Sequence, residues 1–142
     1  MKMIFTFFPI VILAVFIAWK FGSSEIDKYP GKLAVSFKEK ILGFILWFTS
    51  IPTLFLGGLI IWLKYKNISP FINQTGINFL NFWLTYFIYG LVIRYLAKNG
   101  SLTLIKLAIY LTIITLVFKI IGSIFAIKGR SFIAPFSFKF IK

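Results

Sequence analysis

The chain has 142 residues, of which 60% are hydrophobic, 20% aromatic and only 13% charged. Soluble domains carry about 45–50% apolar and about 25% charged residues, so this composition excludes an ordinary soluble globule and indicates an integral membrane protein. Lys and Arg number 16 against three acids, a formal net charge of +13, and the absence of Cys and His excludes disulfides, zinc sites and histidine acid–base chemistry.

The first apolar run extends from Met3 to Trp19. A membrane-spanning helix needs about 17–25 apolar residues, so the run predicts a span over about residues 3–21. A cleaved signal peptide is the alternative, but only Lys2 precedes the run and no A-x-A cleavage site follows it. We favour a retained helix. A polar loop then holds the only three acids of the chain, Glu25, Asp27 and Glu39.

Three further runs follow. The second, over about residues 41–63, contains no charge and would measure about 34 Å as a helix, although Pro52 and the pair Gly57-Gly58 interrupt it. The third and fourth spans are predicted over about 76–96 and 102–127, and the remaining residues alternate basic and aromatic side chains. The predicted fold is an all-α integral membrane protein of one domain, residues 1–142, with four transmembrane helices in a small bundle and a basic-aromatic interfacial C-terminal tail.

Polar and small residues recur at helical spacing within the predicted spans. Such stripes pack helices closely in membranes, and a polar pathway along the same faces is the functional alternative. The candidate polar faces are Asn78, Asn81, Thr85 and Tyr89 in the third span and Thr112, Thr115 and Lys119 in the fourth. The candidate packing residues are Gly43, Ser50 and Gly57 in the second span and Gly122 and Ala126 in the fourth.

Lys119 lies well inside the fourth span, where a charge costs about 2.5–3.5 kcal/mol on insertion scales. We favour a side chain that snorkels to the membrane surface. The alternative is a contact with the amide oxygen of Asn78 or Asn81, because consecutive spans run antiparallel.

Four spans place both termini on one side of the membrane, and the basic residues then divide seven to eight between the two faces. The positive-inside rule therefore gives no orientation. The tail carries Lys128, Arg130, Lys139 and Lys142 among its aromatics, a pattern that predicts contact with anionic lipid headgroups rather than with nucleic acid.

The stretch from Asn73 to Thr85 resembles the signature of a bacterial multi-pass membrane family of unknown function, which is similar to the Tic-twenty-like proteins of the chloroplast import translocon. Leu80-Asn81-Phe82 match its pattern, with Thr75 in place of the family's His and Trp83 in place of its second Gln. The linker 62–71 and the closing segment 126–141 also fit, so the resemblance covers about residues 42–142. It implies a multi-pass protein of the cell membrane with both termini cytoplasmic.

We therefore expect a small non-enzymatic membrane protein that is a subunit or accessory of a larger membrane assembly. An oligomeric pore or transport protein, with its path lined by the third and fourth spans, is the alternative, and a membrane-bound enzyme is the least favoured. No catalytic, cofactor or metal site is predicted. The expected partners are the lipid bilayer and either further copies of the chain or other membrane proteins.

Overall fold

The computed structural model describes residues 35–100 and 102–142, so the first predicted span lies outside the described residues. Within them the chain is all-α and contains no strand. Two of its helices, rather than all the predicted spans, are long and apolar enough to cross a membrane, namely the third and the fourth. The helices are α1 (Phe37–Thr53), α2 (Leu56–Tyr65), α3 (Pro70–Leu96) and α4 (Leu102–Ile127), with a 3-10 turn, Ala97–Asn99, between the last two.

Local signals set where α1 and α3 begin. Ser36 caps α1 by accepting a hydrogen bond from the Glu39 amide, while the Glu39 carboxylate accepts one from the Ser36 amide. Ser69 caps α3 in the same manner through the Ile72 amide, and Pro70 takes the first helical position, where its missing N–H costs nothing. The Ser69 hydroxyl also donates to the Glu39 carboxylate, so the two helix starts are tied together.

The prediction of one continuous span over 41–63 is wrong, because the chain turns back at its middle. Helix α1 ends at Thr53, and Leu54 adopts a left-handed φ of 60°. A Cβ on Gly58 would lie 2.9 Å from the Leu46 carbonyl oxygen, a proximity that a continuous helix forbids. Pro52 removes an amide donor from the last turn of α1, which weakens the helix where it breaks. The second run is a helical hairpin.

Contacts with α3 show the course of this hairpin. Trp62 donates through Nε1 to Asn73 near the start of α3, whereas the Phe55 ring lies 4.1 Å from the Trp83 ring at the middle of α3. Helix α2 therefore runs antiparallel to α3, and the bend between α1 and α2 lies about 20 Å from Pro70 along the α3 axis. We call the end of the bundle where α1 and α3 begin the near end, and the end at the α3–α4 turn the far end.

The core surrounds Trp47 on α1. This side chain is fully buried and packs on the rings of Phe79 and Phe82 from α3 and of Phe132 from the tail, at centroid distances of 5.2, 5.6 and 5.7 Å. Gly122 on α4 admits the indole, because a Cβ there would lie 2.4 Å from it. The near half of the bundle thus contains α1, α3 and α4, together with α2, which returns from the bend, and the tail.

Candidate functional site

The predicted polar stripe on α3 binds the C-terminal tail, residues 128–142. Asn81 makes three hydrogen bonds with the tail backbone: its Oδ1 accepts from the amides of Phe140 (2.9 Å) and Ile141 (2.8 Å), and its Nδ2 donates to the Ile141 carbonyl (2.9 Å). Asn78 donates to the Ser131 hydroxyl at 2.7 Å and accepts from Gln74. The Asn81 amide thus satisfies backbone groups that form no regular secondary structure, and the Asn78 amide binds a side chain of the tail.

Three further α3 side chains hold the tip of the tail. The Thr85 hydroxyl accepts from the Phe138 amide at 2.9 Å, the Tyr89 hydroxyl donates to the Phe136 carbonyl at 3.0 Å, and the Tyr86 hydroxyl donates to Pro135 at 2.9 Å. The sequence pattern identified Thr85 and Tyr89 but missed Tyr86, which lies eight residues after Asn78 and so on the same helix face. That spacing was the available signal.

The tail enters the bundle and returns. Ser131 lies beside Asn78, Phe136 beside Tyr89, and Ile141 beside Asn81, which is nearer the start of α3 again. The tail reverses at Phe136, where φ is 58° and the Ser137 amide donates to Ala134. The tail, expected at the membrane surface, thus packs against α3. Phe132 and Ala134 are buried in the core, because the amide stripe removes the cost of inserting irregular backbone.

Lys119 binds the hairpin bend. Its ammonium donates to the carbonyl of Ser50 at 2.8 Å and to that of Leu54 at 3.4 Å, and the side chain is half-buried. In an unbroken helix the Ser50 carbonyl would accept from the amide of Leu54, but the bend removes that donor. Neither snorkelling nor a contact with Asn78 or Asn81 describes this arrangement. A cation at the C-terminal end of α1 also complements the helix dipole.

The candidate packing residues act mainly as close contacts between helices. A Cβ on Gly43 would lie 3.1 Å from the Ala126 Cβ, which shows how closely α1 and α4 approach near their packed ends. The Ser50 hydroxyl donates to the Trp47 carbonyl, and Gly57 lies against Thr49 across the bend. Thr112 and Thr115, two of the predicted polar residues, form hydrogen bonds within α4. The Thr112 hydroxyl donates to the Ala108 carbonyl, and the Thr115 hydroxyl donates to the Thr112 carbonyl.

Chemically reactive groups are scarce in the described ranges. Glu39 is the one acid there, and its hydrogen bonds from the Ser69 hydroxyl and the Ser36 amide hold the pKa of the carboxyl below its ordinary value. Residues 35–100 and 102–142 contain no group of three His, Cys, Asp or Glu side chains able to hold a metal ion. Two fully buried polar atoms, Trp47 Nε1 and Thr75 Oγ1, have no hydrogen-bond partner in this part of the chain. The polar side chains of α3 and Lys119 of α4 therefore bind the protein's own tail and hairpin bend.

Comparison with known families identifies the chain. Residues 38–141 match the magnetosome magnetite crystal formation protein family, MamF/MmsF. The chain belongs to this family. No curated protein and no solved structure matches the chain. The MamF/MmsF match begins at the start of α1 and ends with the tail, so the family region includes the hairpin, both long helices and the tail-binding face.

The family match corrects the predicted relationship to Tic-twenty-like proteins. That resemblance rested on short motifs, above all Leu80-Asn81-Phe82, which in this fold hold the tail and fill the core. The region that suggested it, about residues 42–142, nearly coincides with the MamF/MmsF region. The motifs thus marked a structural unit but assigned it to the wrong family.

Proposed function

We propose that the chain is a non-enzymatic accessory protein of the magnetosome membrane that takes part in magnetite crystal formation within a larger membrane assembly. The observation that carries this proposal is the MamF/MmsF match over residues 38–141. The described residues add a helical body with two potential membrane spans.

Membrane insertion is supported by the surface of the long helices. Helix α4 is the more apolar of the two long helices, and large aliphatic side chains on both are exposed rather than buried. At 27 and 26 residues, α3 and α4 measure about 40 Å each, enough for a hydrocarbon core of about 30 Å. In this placement the hairpin and the tail both enter from the near end and reach the middle of the bilayer or beyond.

The hairpin changes the distribution of charge between the two membrane faces. Because the second run turns back, the basic residues before α1 and after α2 lie on the same face. Among the cations that flank the described helices, six then lie at the near end and three at the far end, so the positive-inside rule favours a cytoplasmic near end. The near-end residues are Lys38, Lys40, Lys64, Lys66, Lys128 and Arg130, and the far-end residues are Arg94, Lys98 and Lys106.

This orientation gives a position for the carboxyl terminus. The tail enters from the near end, so the carboxyl terminus belongs to the cytoplasmic side. The amino terminus, expected on the same side, lies outside the described residues. Anionic lipid headgroups are the proposed partners of the six near-end cations.

An accessory role fits the residues better than direct iron binding or transport. Iron prefers carboxylate, imidazole or thiolate ligands, and the described part of the chain offers only Glu39, which Ser36 and Ser69 already engage. Four side chains are expected to line a pore: the tail occupies Asn78, Asn81 and Thr85, and the hairpin bend occupies Lys119. We propose that the chain acts through contacts with other membrane proteins or further copies of itself.

Deletion of the gene in a magnetite-forming host tests the proposal. We expect smaller or misshapen crystals in electron micrographs, rescue by the intact chain, and a tagged copy that co-purifies with the magnetosome membrane. Normal crystals in the deletion strain, or a tagged copy confined to other membranes, would contradict it. Native mass spectrometry of the gently solubilised protein then reports whether it carries other proteins or copies of itself.

A further inference from the structure

The face of α4 that packs on α1 continues past the point where α1 ends. Three pairs of residues mark the packing of these antiparallel helices, at matching steps along both: Gly43 with Ala126, Trp47 with Gly122, and Ser50 with Lys119. Helix α1 stops at Thr53, so the next turns of the same α4 face have no α1 residue opposite them. We call these turns the open face; it consists of Thr115, Thr112 and Ala108.

The return helix of the hairpin does not cover the open face either. Among the described helices, α2 packs on α1 and α3 and makes no contact with α4. Thr112 is exposed, and Ala108 and Thr115 are half-buried. Small side chains at this spacing allow another helix to approach closely. The open face is therefore a continuation of the α1–α4 interface that lacks its second helix.

Lys119 lies at the inner end of the open face, near the middle of the bundle. Its partner Ser50 is about 20 Å along α1 from Phe37. Side chains lean toward the N-terminus of their helix, so Lys119 leans toward Thr115, and it is half-buried. An ammonium group has three N–H donors, and the carbonyls of the bend engage two of them. Those carbonyls supply no negative charge, and a charge at membrane depth normally faces protein or water.

We infer that the open face receives a membrane helix of a different protein, which carries an Asp or Glu near its middle that pairs with Lys119. This step rests on the proposed role within a membrane assembly. A carboxylate is the charge complement of the ammonium group and accepts its third N–H in a charge-assisted hydrogen bond. A helix that crosses α4 at an angle contacts it here and diverges toward the near end, where α1 intervenes.

A second copy of the chain does not fit this place. The three acids of the sequence are Glu25, Asp27 and Glu39. Glu39 lies at the near end, about 17 Å along α1 from Ser50, and is engaged by serines. Glu25 and Asp27 belong to the polar loop predicted outside the spans. A symmetric second copy would instead bring its own Lys119 to the same depth, where like charges repel.

Photo-cross-linking in magnetosome membranes tests the inference. A photoreactive phenylalanine analogue replaces Thr112 in a tagged chain and, as the control, replaces Ile120, which is 47% exposed and lies about 100° around the helix from Lys119. We expect an adduct with one protein from Thr112 only, formed by a membrane segment that contains Asp or Glu. Its yield falls at least about tenfold with Lys119→Met and is retained with Lys119→Arg, which keeps the charge. Neutralising the partner's acid has the same effect as Lys119→Met and leaves this chain unaltered.

The other outcomes overturn the inference. An adduct with a second copy, with a segment that lacks an acid, or in undiminished yield with Lys119→Met would contradict the charge pair. Adducts with lipid alone would assign the open face to lipid, and labelling of Thr112→Cys by a membrane-impermeant maleimide would assign it to water. A tagged chain confined to other membranes would contradict the proposed function, whereas its adducts there would still decide this inference.

Discussion

The tail and the hairpin bend are both irregular segments that enter the bundle from the near end, but their backbones are satisfied in different ways. The tail is held by neutral amide and hydroxyl groups spread over three turns of α3, whereas the bend is held by one ammonium group from α4. The tail's contacts are numerous and individually modest, and those of the bend are few and charged. We expect a substitution on α3 to weaken the tail according to the number of hydrogen bonds that it removes, most of all at Asn81, and the bend to depend on Lys119 alone.

The largest effect is expected from Asn81→Leu. This change leaves three tail backbone groups without partners, and each such group costs about 1–3 kcal/mol when buried, so we expect a loss of at least about 3 kcal/mol in the free energy of unfolding. Thermal unfolding in detergent measures the loss, and faster trypsin cleavage at Lys139 reports release of the tail. Asn73→Leu, on the same helix, breaks one hydrogen bond, that with Trp62, and serves as the control. Equal losses in the two variants would contradict the assigned role of Asn81.

Gly122→Ala tests the core around Trp47, against which the tail and the hairpin pack. The new Cβ would lie 2.4 Å from the indole of Trp47, which is fully buried among rings of α3 and the tail and has no space to move. We expect about 1–3 kcal/mol of destabilisation, the usual cost of overpacking. In the control, Gly90→Ala, the Cβ meets nothing within 4 Å, and the change gains up to about 1 kcal/mol through helix propensity. Similar melting temperatures for the two variants would show that Gly122 is not a packing contact.

Lys119→Met tests the contacts of the bend independently of those of the tail. The variant loses charged hydrogen bonds to Ser50 and Leu54, worth about 1.5–3 kcal/mol each, but also removes a charge that costs about 2.5–3.5 kcal/mol to insert. The two bonds together total about 3–6 kcal/mol, so the avoided insertion cost offsets a large part of the loss, and the net change in global stability lies between about 0 and about 3.5 kcal/mol.

The local effect of the same variant is expected to be large. Amide exchange at residues 54–58 rises by about tenfold or more, as measured by hydrogen–deuterium exchange, while the tail amides stay protected. Lys106→Met, on the same helix at the far end, leaves both segments unchanged. Unaltered exchange at the bend in Lys119→Met would show that the ammonium does not hold it.

The difference between the tail and the hairpin bend also explains which parts of the site could be predicted from the sequence. The stripe of Asn78, Asn81, Thr85 and Tyr89 is periodic, so its common face and its need for polar partners follow from helix geometry alone. That the partner is the tail does not follow, because the tail's alternating aromatic and basic residues also suit a membrane surface. The contact spans about 60 residues of sequence and is set by tertiary packing.

The hairpin could not be predicted from the same rules. An uncharged run of 23 residues satisfies every length criterion for a span, and Pro52 and Gly57-Gly58 are tolerated in membrane helices. The fold-back depends on Gly58 meeting the backbone of Leu46 and on Lys119 reaching the freed carbonyls, contacts that no local pattern encodes. A continuous span therefore predicts an even division of basic residues between the two membrane faces, whereas the hairpin leads us to propose an uneven division among the described residues.

The smallest effect is expected at the near end, where Glu39 joins the start of α1 to the start of α3. Its pKa is lowered, chiefly by the Ser69 hydroxyl and then by the Ser36 amide, so the folded chain binds this proton less readily than the unfolded chain. The stabilisation is therefore present above the ordinary value of 4.5 and is lost as the pH falls through the lowered value. Glu39→Gln should cost about 1 kcal/mol or less at neutral pH.

Melting temperatures between about pH 7 and about pH 3 measure this effect, and the curves of the parent and of Glu39→Gln should converge at the acid end. Ser69→Ala is the informative companion, because it removes the largest contribution to the lowered pKa and also the cap of α3. Loss of the cap lowers the melting temperature equally at every pH. Loss of the hydroxyl reduces only the slope of the melting temperature against pH. A parallel offset with an unchanged slope would show that Glu39 caps its own helix and does not join the hairpin to α3.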